Sequence, residues 1–347
     1  MRRYRTKTVI VNGAVLFLLL FLFRPLFLPA IRTAFAAASS NDVGGILQSA
    51  QHEFDLGNYA AAIKTLQSAV ALNSASAEAY YWLGRSYYEI RDYDNAITQG
   101  EKSVALDAKN SLYHQWLARS YGGKADRDRS FFLAKKVKKE LEEAVRLNPS
   151  NIEARLDLED FCISAPWIVG GNKDEARDQV DAISALDAID GHVARANFDL
   201  QGIKRPDLAE TEYRQILSSK PARLEPYFEA ITFFQKQNDL PGMQTAIDGA
   251  AQVNAKYPRV LYFQAVDWVL SGTEPVRAEE YLKSYLASTP ERSDWPPHAA
   301  AREWLGRLYE SQGKRAEAAE QYRAALQLEP GRKEATARLQ KLEKASP

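Results

Sequence analysis

Two Trp–x–x–Arg pairs recur 34 residues apart in this chain, Trp82 with Arg85 and Trp116 with Arg119. Tryptophan offers a large apolar contact area, and arginine offers a planar, permanently charged group that can make two parallel hydrogen bonds to a carboxylate. Both residue types are enriched at the energetic centres of binding surfaces. The spacing therefore predicts a ladder of Trp and Arg contacts along one face. It also fits a purely structural role, in which the indoles pack and the arginines pair with neighbouring acids.

Residue sets that perform catalysis are not visible in the sequence. The four histidines are widely scattered, and the single cysteine, Cys162, excludes an internal disulfide and a multi-cysteine zinc site. No Ser–His–Asp, Cys–His or HExxH arrangement is present. We therefore predict that the protein is not an enzyme and has no catalytic residues, no cofactor and no metal site.

The elements that position the Trp and Arg side chains are predicted to be paired helices. Tyr80, Leu83, Gly84 and Tyr87 follow the i, i+3, i+4, i+7 spacing of one helix face, and Ala96 belongs to the following helix. The pattern returns 34 residues later, and again near the C-terminus in residues 304–330. This period is the tetratricopeptide (TPR) signature, a helix–turn–helix unit that stacks into a solenoid.

We therefore predict an all-α fold, a right-handed TPR solenoid of about eight units over residues 43–331. An N-terminal segment, 1–36, and a linker, 37–42, precede it, and a capping helix, 332–347, follows. The predicted units are 43–76, 77–110, 111–150, 151–187, 188–221, 222–258, 259–290 and 298–331. Within the third unit, residues 122–129 are expected to form the turn. A polar loop, 291–297, is expected to lead into the last unit.

The chain resembles exported bacterial tetratricopeptide-repeat proteins over nearly all of residues 43–347. Residues 81–85 (YWLGR), 133–137 (LAKKV) and 165–173 (APWIVGGNK) are similar to one subgroup of that family. The resemblance implies the fold, export and protein binding, and it implies little specific chemistry.

The first helix of each unit is expected to line a concave face that contacts a protein or peptide. The predicted groove residues are Tyr81, Trp82, Arg85, Tyr88, Gln115, Trp116 and Arg119. Trp167, in the insertion 164–172, is a possible further contact. The alternative for that insertion is an enlarged turn, in which Gly170 and Gly171 allow the chain to reverse.

Charge and the N-terminal residues bear on partner class and location. Net charge is zero, and the lysines of residues 135–139 are followed at once by glutamates, so we expect no nucleic-acid binding. Residues 1–7 are cationic, residues 9–23 are mostly apolar, and Ala34-Phe35-Ala36 is a small-x-small pattern. This order is typical of a secretory signal peptide. The alternative is an uncleaved inner-membrane anchor with the repeats facing the periplasm, and the membrane is then contacted only through this segment.

The predicted function is a non-enzymatic scaffold of the periplasm or cell envelope that binds a peptide or protein segment in a concave helical groove. One alternative is a structural subunit of an envelope assembly whose groove is permanently filled. Another is a small-molecule binder or enzyme that uses a pocket beside the Trp167 loop.

Overall fold

The computed structural model describes residues 43–288 and 290–344, and these residues form seventeen α-helices and no β-strand. The predicted signal segment and linker lie outside the described residues. The first four helix pairs, units 1–4, are α1 (Val43–Asp55) with α2 (Tyr59–Leu72), α3 (Ala77–Glu89) with α4 (Tyr93–Leu106), α5 (Ser111–Asp128) with α6 (Phe131–Leu147), and α7 (Ile152–Ser164) with α8 (Lys173–Leu186).

The next four pairs, units 5–8, continue the same order and end in a single helix. They are α9 (Ala188–Asn197) with α10 (Pro206–Ser219), α11 (Glu225–Gln237) with α12 (Leu240–Asn254), α13 (Pro258–Ser271) with α14 (Pro275–Ser288), and α15 (His298–Ser311) with α16 (Arg315–Leu328), followed by α17 (Lys333–Lys344). The predicted fold class, an all-α TPR solenoid of about eight units with a final helix, is confirmed. Among the helices described, none is long and apolar enough to cross a membrane.

Many helices begin at a side-chain cap. The side chains of Ser76, Asp92, Asn110, Ser130 and Asn151 each accept a hydrogen bond from a backbone N–H two or three residues ahead. Such a cap satisfies one of the four N–H groups that a helix start leaves unpaired, and its loss costs about 1 kcal/mol. The caps fix where each helix starts, and so they fix the register in which the apolar faces meet.

Close approach within a unit depends on small residues at the helix crossing. A Cβ added to Gly306 on α15 would lie 2.5 Å from Cε1 of Tyr322, a fully buried side chain on α16. In unit 2, a Cβ on Gly84 would lie 3.3 Å from the carbonyl oxygen of Ala96. Ala96 is itself fully buried. The recurring small residues therefore set the distance between the two helices of a unit.

The expected turn at residues 122–129 is wrong. Helix α5 continues to Asp128, and the chain turns at Arg129, whose φ of 51° is left-handed. Gly123 serves close packing instead, because a Cβ there would lie 2.5 Å from the ring of Tyr93. The extra residues of unit 3 therefore lengthen its helices, to 18 residues in α5 and 17 in α6.

The connection before α15 leads into the last unit, and it also makes hydrogen bonds to the first two units. We call residues 290–297 the return segment, because they reach back to units 1 and 2. An Arg292 guanidinium N–H donates to the backbone carbonyl of Asp55, and the Ser293 backbone N–H donates to Oε2 of Glu89 at 3.0 Å. The C-terminal end of the return segment is bonded to unit 7, because the Tyr285 hydroxyl donates to the carbonyl of Pro296.

Candidate functional site

The two Trp–x–x–Arg pairs form one alternating stack on the first helices of units 2 and 3. The guanidinium carbon of Arg85 lies 4.6 Å from the ring centre of Trp82 and 4.1 Å from that of Trp116. Arg119 stacks on Trp116 at 4.8 Å. Because the helices repeat with the 34-residue period, a cation of one unit is inserted beside the indole of the next. The predicted ladder is thus present as a continuous run of side chains.

Arg85 is enclosed by aromatic rings and has no ion pair among the described residues. Phe54 of α1 lies 4.8 Å from its guanidinium carbon, and the Tyr81 hydroxyl accepts a hydrogen bond from Nη1 at 3.3 Å. Its Nε is buried and makes no hydrogen bond. Rings compensate a buried cation less completely than a carboxylate does, since each cation–π contact contributes about 0.5–2 kcal/mol. Arg85 therefore retains hydrogen-bonding capacity.

Arg119, in contrast, is already paired. Its Nε lies 2.7 Å from Oδ2 of Asp157, and its Nη2 lies 3.1 Å from Oδ1 of the same carboxylate. Glu153 adds a contact at 3.4 Å. Desolvation lowers the pKa of Arg119, but the Asp157 carboxylate outweighs it and leaves the pKa above its ordinary value. The pairing with neighbouring acids, which the structural alternative predicts for both arginines, is therefore present for Arg119, and among the described residues it is absent for Arg85.

Two of the predicted groove residues are removed from the contact surface by burial. The side chain of Gln115 is fully buried, where it donates to Asp157 at 2.9 Å and accepts from Asn151 at 3.2 Å. Tyr81 is also buried, and it packs at 5.1 Å on the ring of Tyr113. Alignment to the repeat placed both on the exposed side of the helix. Contacts with the next unit bury them instead.

Four of the five remaining predicted residues border a cavity of about 440 Å³, which is lined by residues of units 1–4 and of the return segment. Arg85, Tyr88, Trp116 and Arg119 line it, whereas Trp82 lies just behind Arg85. Tyr88 contacts Trp116 edge-on at 5.8 Å. The structure thus brings together most of the predicted ladder around one opening.

Further residues around this opening were missed from the sequence. Phe54 and Tyr59 come from unit 1, Glu89 from α3, Glu153 from α7, and Arg292, Ser293 and Asp294 from the return segment. The cavity wall therefore combines three guanidinium groups with three carboxylates and several rings. No repeat-level signal points to the return segment, because its contacts join residues more than 200 positions apart.

The possible contact Trp167 lies near a second cavity, of about 570 Å³, between α5, α6 and α7. Its neighbours Pro166 and Val169 line this cavity, and Val169 is buried. Trp167 itself is 85 % exposed and does not line the cavity. The turn alternative is also visible, since Gly170 takes a φ of 111° and Asn172 caps α8.

The titratable groups of the described residues form no catalytic arrangement. Burial raises the pKa of Cys162 to about 12, so its thiolate is scarcely populated at neutral pH. Burial also raises the pKa of Glu159 to about 8, and both its oxygens accept from the Asn197 amide. The described residues contain no group of three or more His, Cys, Asp or Glu side chains that could hold a metal ion.

Comparison with known proteins agrees with this architecture. A tetratricopeptide-repeat family model matches residues 47–111 and 274–333, which together are less than half of the chain. The two matched segments are therefore tetratricopeptide repeats, and the eight helix pairs of the described residues have the all-α fold of such repeats. Proteins of this family typically act as non-enzymatic scaffolds that bind proteins or peptides.

Several solved structures have similar folds. A thermophilic TPR protein of Thermus thermophilus is 22% identical over 56% of this chain and all of its own, with a TM-score of 0.46. A tetratricopeptide repeat protein of Parabacteroides merdae is 14% identical over 87% of this chain and 98% of its own, also with a TM-score of 0.46. YrrB, described as a TPR protein with an unusual peptide-binding site, is 17% identical over 67% of this chain and 96% of its own, with a TM-score of 0.36. A search of curated proteins gave no match.

Proposed function

We propose that this protein is a non-enzymatic scaffold that binds a peptide or protein segment at the concave face of units 1–4. The observation that carries the proposal is Arg85, a cation held between Trp82 and Trp116 at the wall of a 440 Å³ cavity with no carboxylate partner among the described residues. A bound segment would add the missing acceptor, either a side-chain carboxylate or the C-terminal carboxylate. Its apolar side chains would lie against Trp116 and Phe54.

The return segment supports the same proposal. Residues 292–294 of the chain already lie at the cavity, and they use a backbone N–H and a guanidinium to reach Glu89 and the carbonyl of Asp55. The face therefore accommodates an irregular stretch of chain and makes hydrogen bonds to several of its polar groups. A partner segment would bind in the remaining space, beside Arg85.

We also propose that the protein is exported to the periplasm or cell envelope. The support is the order of cationic, apolar and small residues in 1–36. A fusion of residues 1–42 to a reporter enzyme that is active only outside the cytoplasm tests this. Activity that requires residues 1–36 is expected, and an inactive reporter would contradict export.

Binding is tested with a displayed peptide library, screened on residues 37–347 and on matched variants. We expect the selected peptides to share an acidic group beside an apolar side chain. Arg85→Ala should weaken them at least about tenfold, because truncating an arginine at the energetic centre of an interface costs about 2 kcal/mol or more. Arg85→Lys should also weaken them, since lysine lacks the planar group that stacks between the two indoles.

The chain offers a close control for these variants. Arg277 also stacks on a tryptophan, Trp268, at 4.6 Å and donates to a tyrosine hydroxyl, that of Tyr281, but it borders neither cavity. Arg277→Ala should therefore leave binding unchanged. Equal losses in both variants, or no loss in Arg85→Ala, would refute the role of the stack.

A further inference from the structure

The second cavity, which we call the unit 3–4 cleft, owes its shape to the places where units 3 and 4 exceed the repeat length. It lies between α5, α6, α7 and the turn 165–169, and it has a volume of about 570 Å³. Two phenylalanines, Phe131 and Phe161, belong to its apolar lining. Much of the rest is small or aliphatic, namely Ala118, Gly122, Ala125, Ala134, Val137 and Leu141. A lining of this kind fits an aliphatic stem or a small apolar side chain.

The cleft also has an excess of negative charge. Asp126, Asp157 and Asp160 line it, together with Arg119 and Arg129. Asp157 is neutralised by its two hydrogen bonds with Arg119. Asp126 and Asp160 have no Lys or Arg within ion-pair distance in the described part of the chain, and Arg129 likewise has no carboxylate partner there. Among the described residues, the cleft therefore contains two carboxylates and only one arginine that make no ion pair, and its net charge is negative.

The electrostatics of Asp160 agree with that excess. Desolvation raises the pKa of Asp160 above its ordinary value, and the carboxylates of Asp157 and Asp126 raise it further. The Asn197 amide opposes these effects without reversing them. A cation placed in the cleft would relieve this repulsion and would be attracted to it.

Large apolar side chains are exposed on both sides of the cleft. Phe131, which lines it, is 64 % exposed and its neighbour Phe132 is 70 % exposed. In the turn 165–169, between the lining residues Pro166 and Val169, Trp167 is 85 % exposed and Ile168 is 58 % exposed. Large contiguous apolar patches on the surface of soluble proteins mark interaction sites.

We propose that the unit 3–4 cleft docks a protein segment that presents a lysine or arginine beside an apolar side chain. The cation pairs with Asp126 or Asp160, its aliphatic stem lies on Val137 and Leu141, and the apolar neighbour contacts Phe131 or Trp167. Long basic side chains combine an apolar stem with a charged end, which is the combination that this cleft offers. Arg119 borders both this cleft and the first cavity, but Trp82, Arg85 and Trp116 do not line the cleft. The proposal therefore stands whether or not Arg85 binds a ligand.

The negative charge of the cleft argues against a membrane as its occupant. An anionic lipid surface would be repelled by the carboxylates that line the cleft. A basic protein segment satisfies the charge and the apolar rim together.

The test is a displayed peptide library screened on the full-length protein and on Asp126→Asn/Asp160→Asn. We expect the wild-type pool to contain a motif with one lysine or arginine next to an aliphatic or aromatic residue. The best peptide of that motif, made synthetically, should bind the double variant at least about tenfold more weakly. Binding should also weaken as salt is added, because the attraction is partly between exposed charges.

Two matched variants separate this site from the Arg85 stack and from the general surface charge of the protein. Asp178→Asn/Asp181→Asn removes the same charge from exposed positions of α8 that do not line the cleft, and it should leave binding unchanged. Arg85→Ala should leave the basic motif in the pool and remove the acidic one. Loss of the basic motif in the α8 control, its persistence in the cleft variant, or no basic motif at all would overturn the proposal. Binding to anionic vesicles through Phe131 and Trp167, without any basic peptide motif, would overturn it as well.

Discussion

The burial of Glu159 allows a quantitative prediction of how the stability of the protein depends on pH. Its carboxyl group is almost fully buried between units 4 and 5. Its side chain lies on α7 and its residue is 1 % exposed. The Asn197 amide of α9 donates to its two carboxyl oxygens at 3.1 and 2.9 Å. Desolvation raises the pKa of Glu159 from 4.5 to about 8, with a smaller contribution from the Asp160 carboxylate, while the Asn197 hydrogen bonds oppose the rise.

The sign of the effect follows from the direction of that shift. Between about pH 4.5 and pH 8 the unfolded chain has released this proton and the folded protein still holds it. The contribution of Glu159 to the free energy of unfolding is therefore fully present below pH 4.5 and falls as pH rises through 8. At about 1.36 kcal/mol for each pH unit, the difference between the two pKa values corresponds to on the order of 5 kcal/mol.

Urea unfolding of the wild type and of Glu159→Gln, each at about pH 5 and about pH 9, measures this contribution. The wild type should lose several kcal/mol more between the two pH values than the variant, because a neutral amide has no proton to release. Subtracting the variant removes the contributions of other groups. Glu280→Gln, at an exposed position of α14, should behave as the wild type does. Equal pH dependence in the wild type and Glu159→Gln would refute the reasoning.

Three further predictions concern packing, protonation and the return segment. Gly306→Ala should lower stability by about 1–3 kcal/mol, because the new Cβ overlaps the ring of Tyr322. The better helix propensity of alanine, worth roughly 1 kcal/mol, is too small to offset the cost of that overlap. An unchanged melting temperature would contradict this. Desolvation lowers the pKa of His114, but the Glu140 carboxylate at 2.6 Å and a backbone carbonyl outweigh it, so the pKa lies above 6.5. The stability that His114 adds is present below pH 6.5 and is lost as pH rises through its folded pKa, and Glu140→Gln should lower that pKa in an NMR titration; an unmoved titration would exclude the coupling. Arg292→Ala should speed amide hydrogen exchange in the return segment several-fold and leave the core of unit 5 unchanged; uniform exchange changes would assign Arg292 a global role instead.

The fold could be predicted because it depends on local and periodic information. Leu83 and Gly84 recur one unit later as Leu117 and Ala118, and such small and aliphatic positions are enough to specify a helix pair and its stacking on the next pair. The alternating stack of Trp and Arg could be predicted for the same reason. Each of its members is fixed by helix phase and by the period.

Which arginine of the stack is ion-paired, and which predicted groove residue is buried, could not be predicted from the sequence. Whether an arginine is paired depends on a residue of the next unit, as Asp157 shows for Arg119. Gln115 shows the same limit, because alignment to the repeat gives its helix face but not the Asn151 amide that encloses it. The cavity wall depends still more on tertiary structure, since the contacts of the return segment join distant units.

The return segment has a mechanical consequence. In an open solenoid each unit touches only its neighbours, so tension on the two ends separates units progressively and the molecule extends as a spring does. Here the connection before unit 8 is bonded to Asp55 and Glu89 of units 1 and 2. When units 1 and 2 are pulled away from unit 8, these few hydrogen bonds must break before the units between them can separate fully. Extension should therefore begin with a small rupture, after which the array becomes compliant.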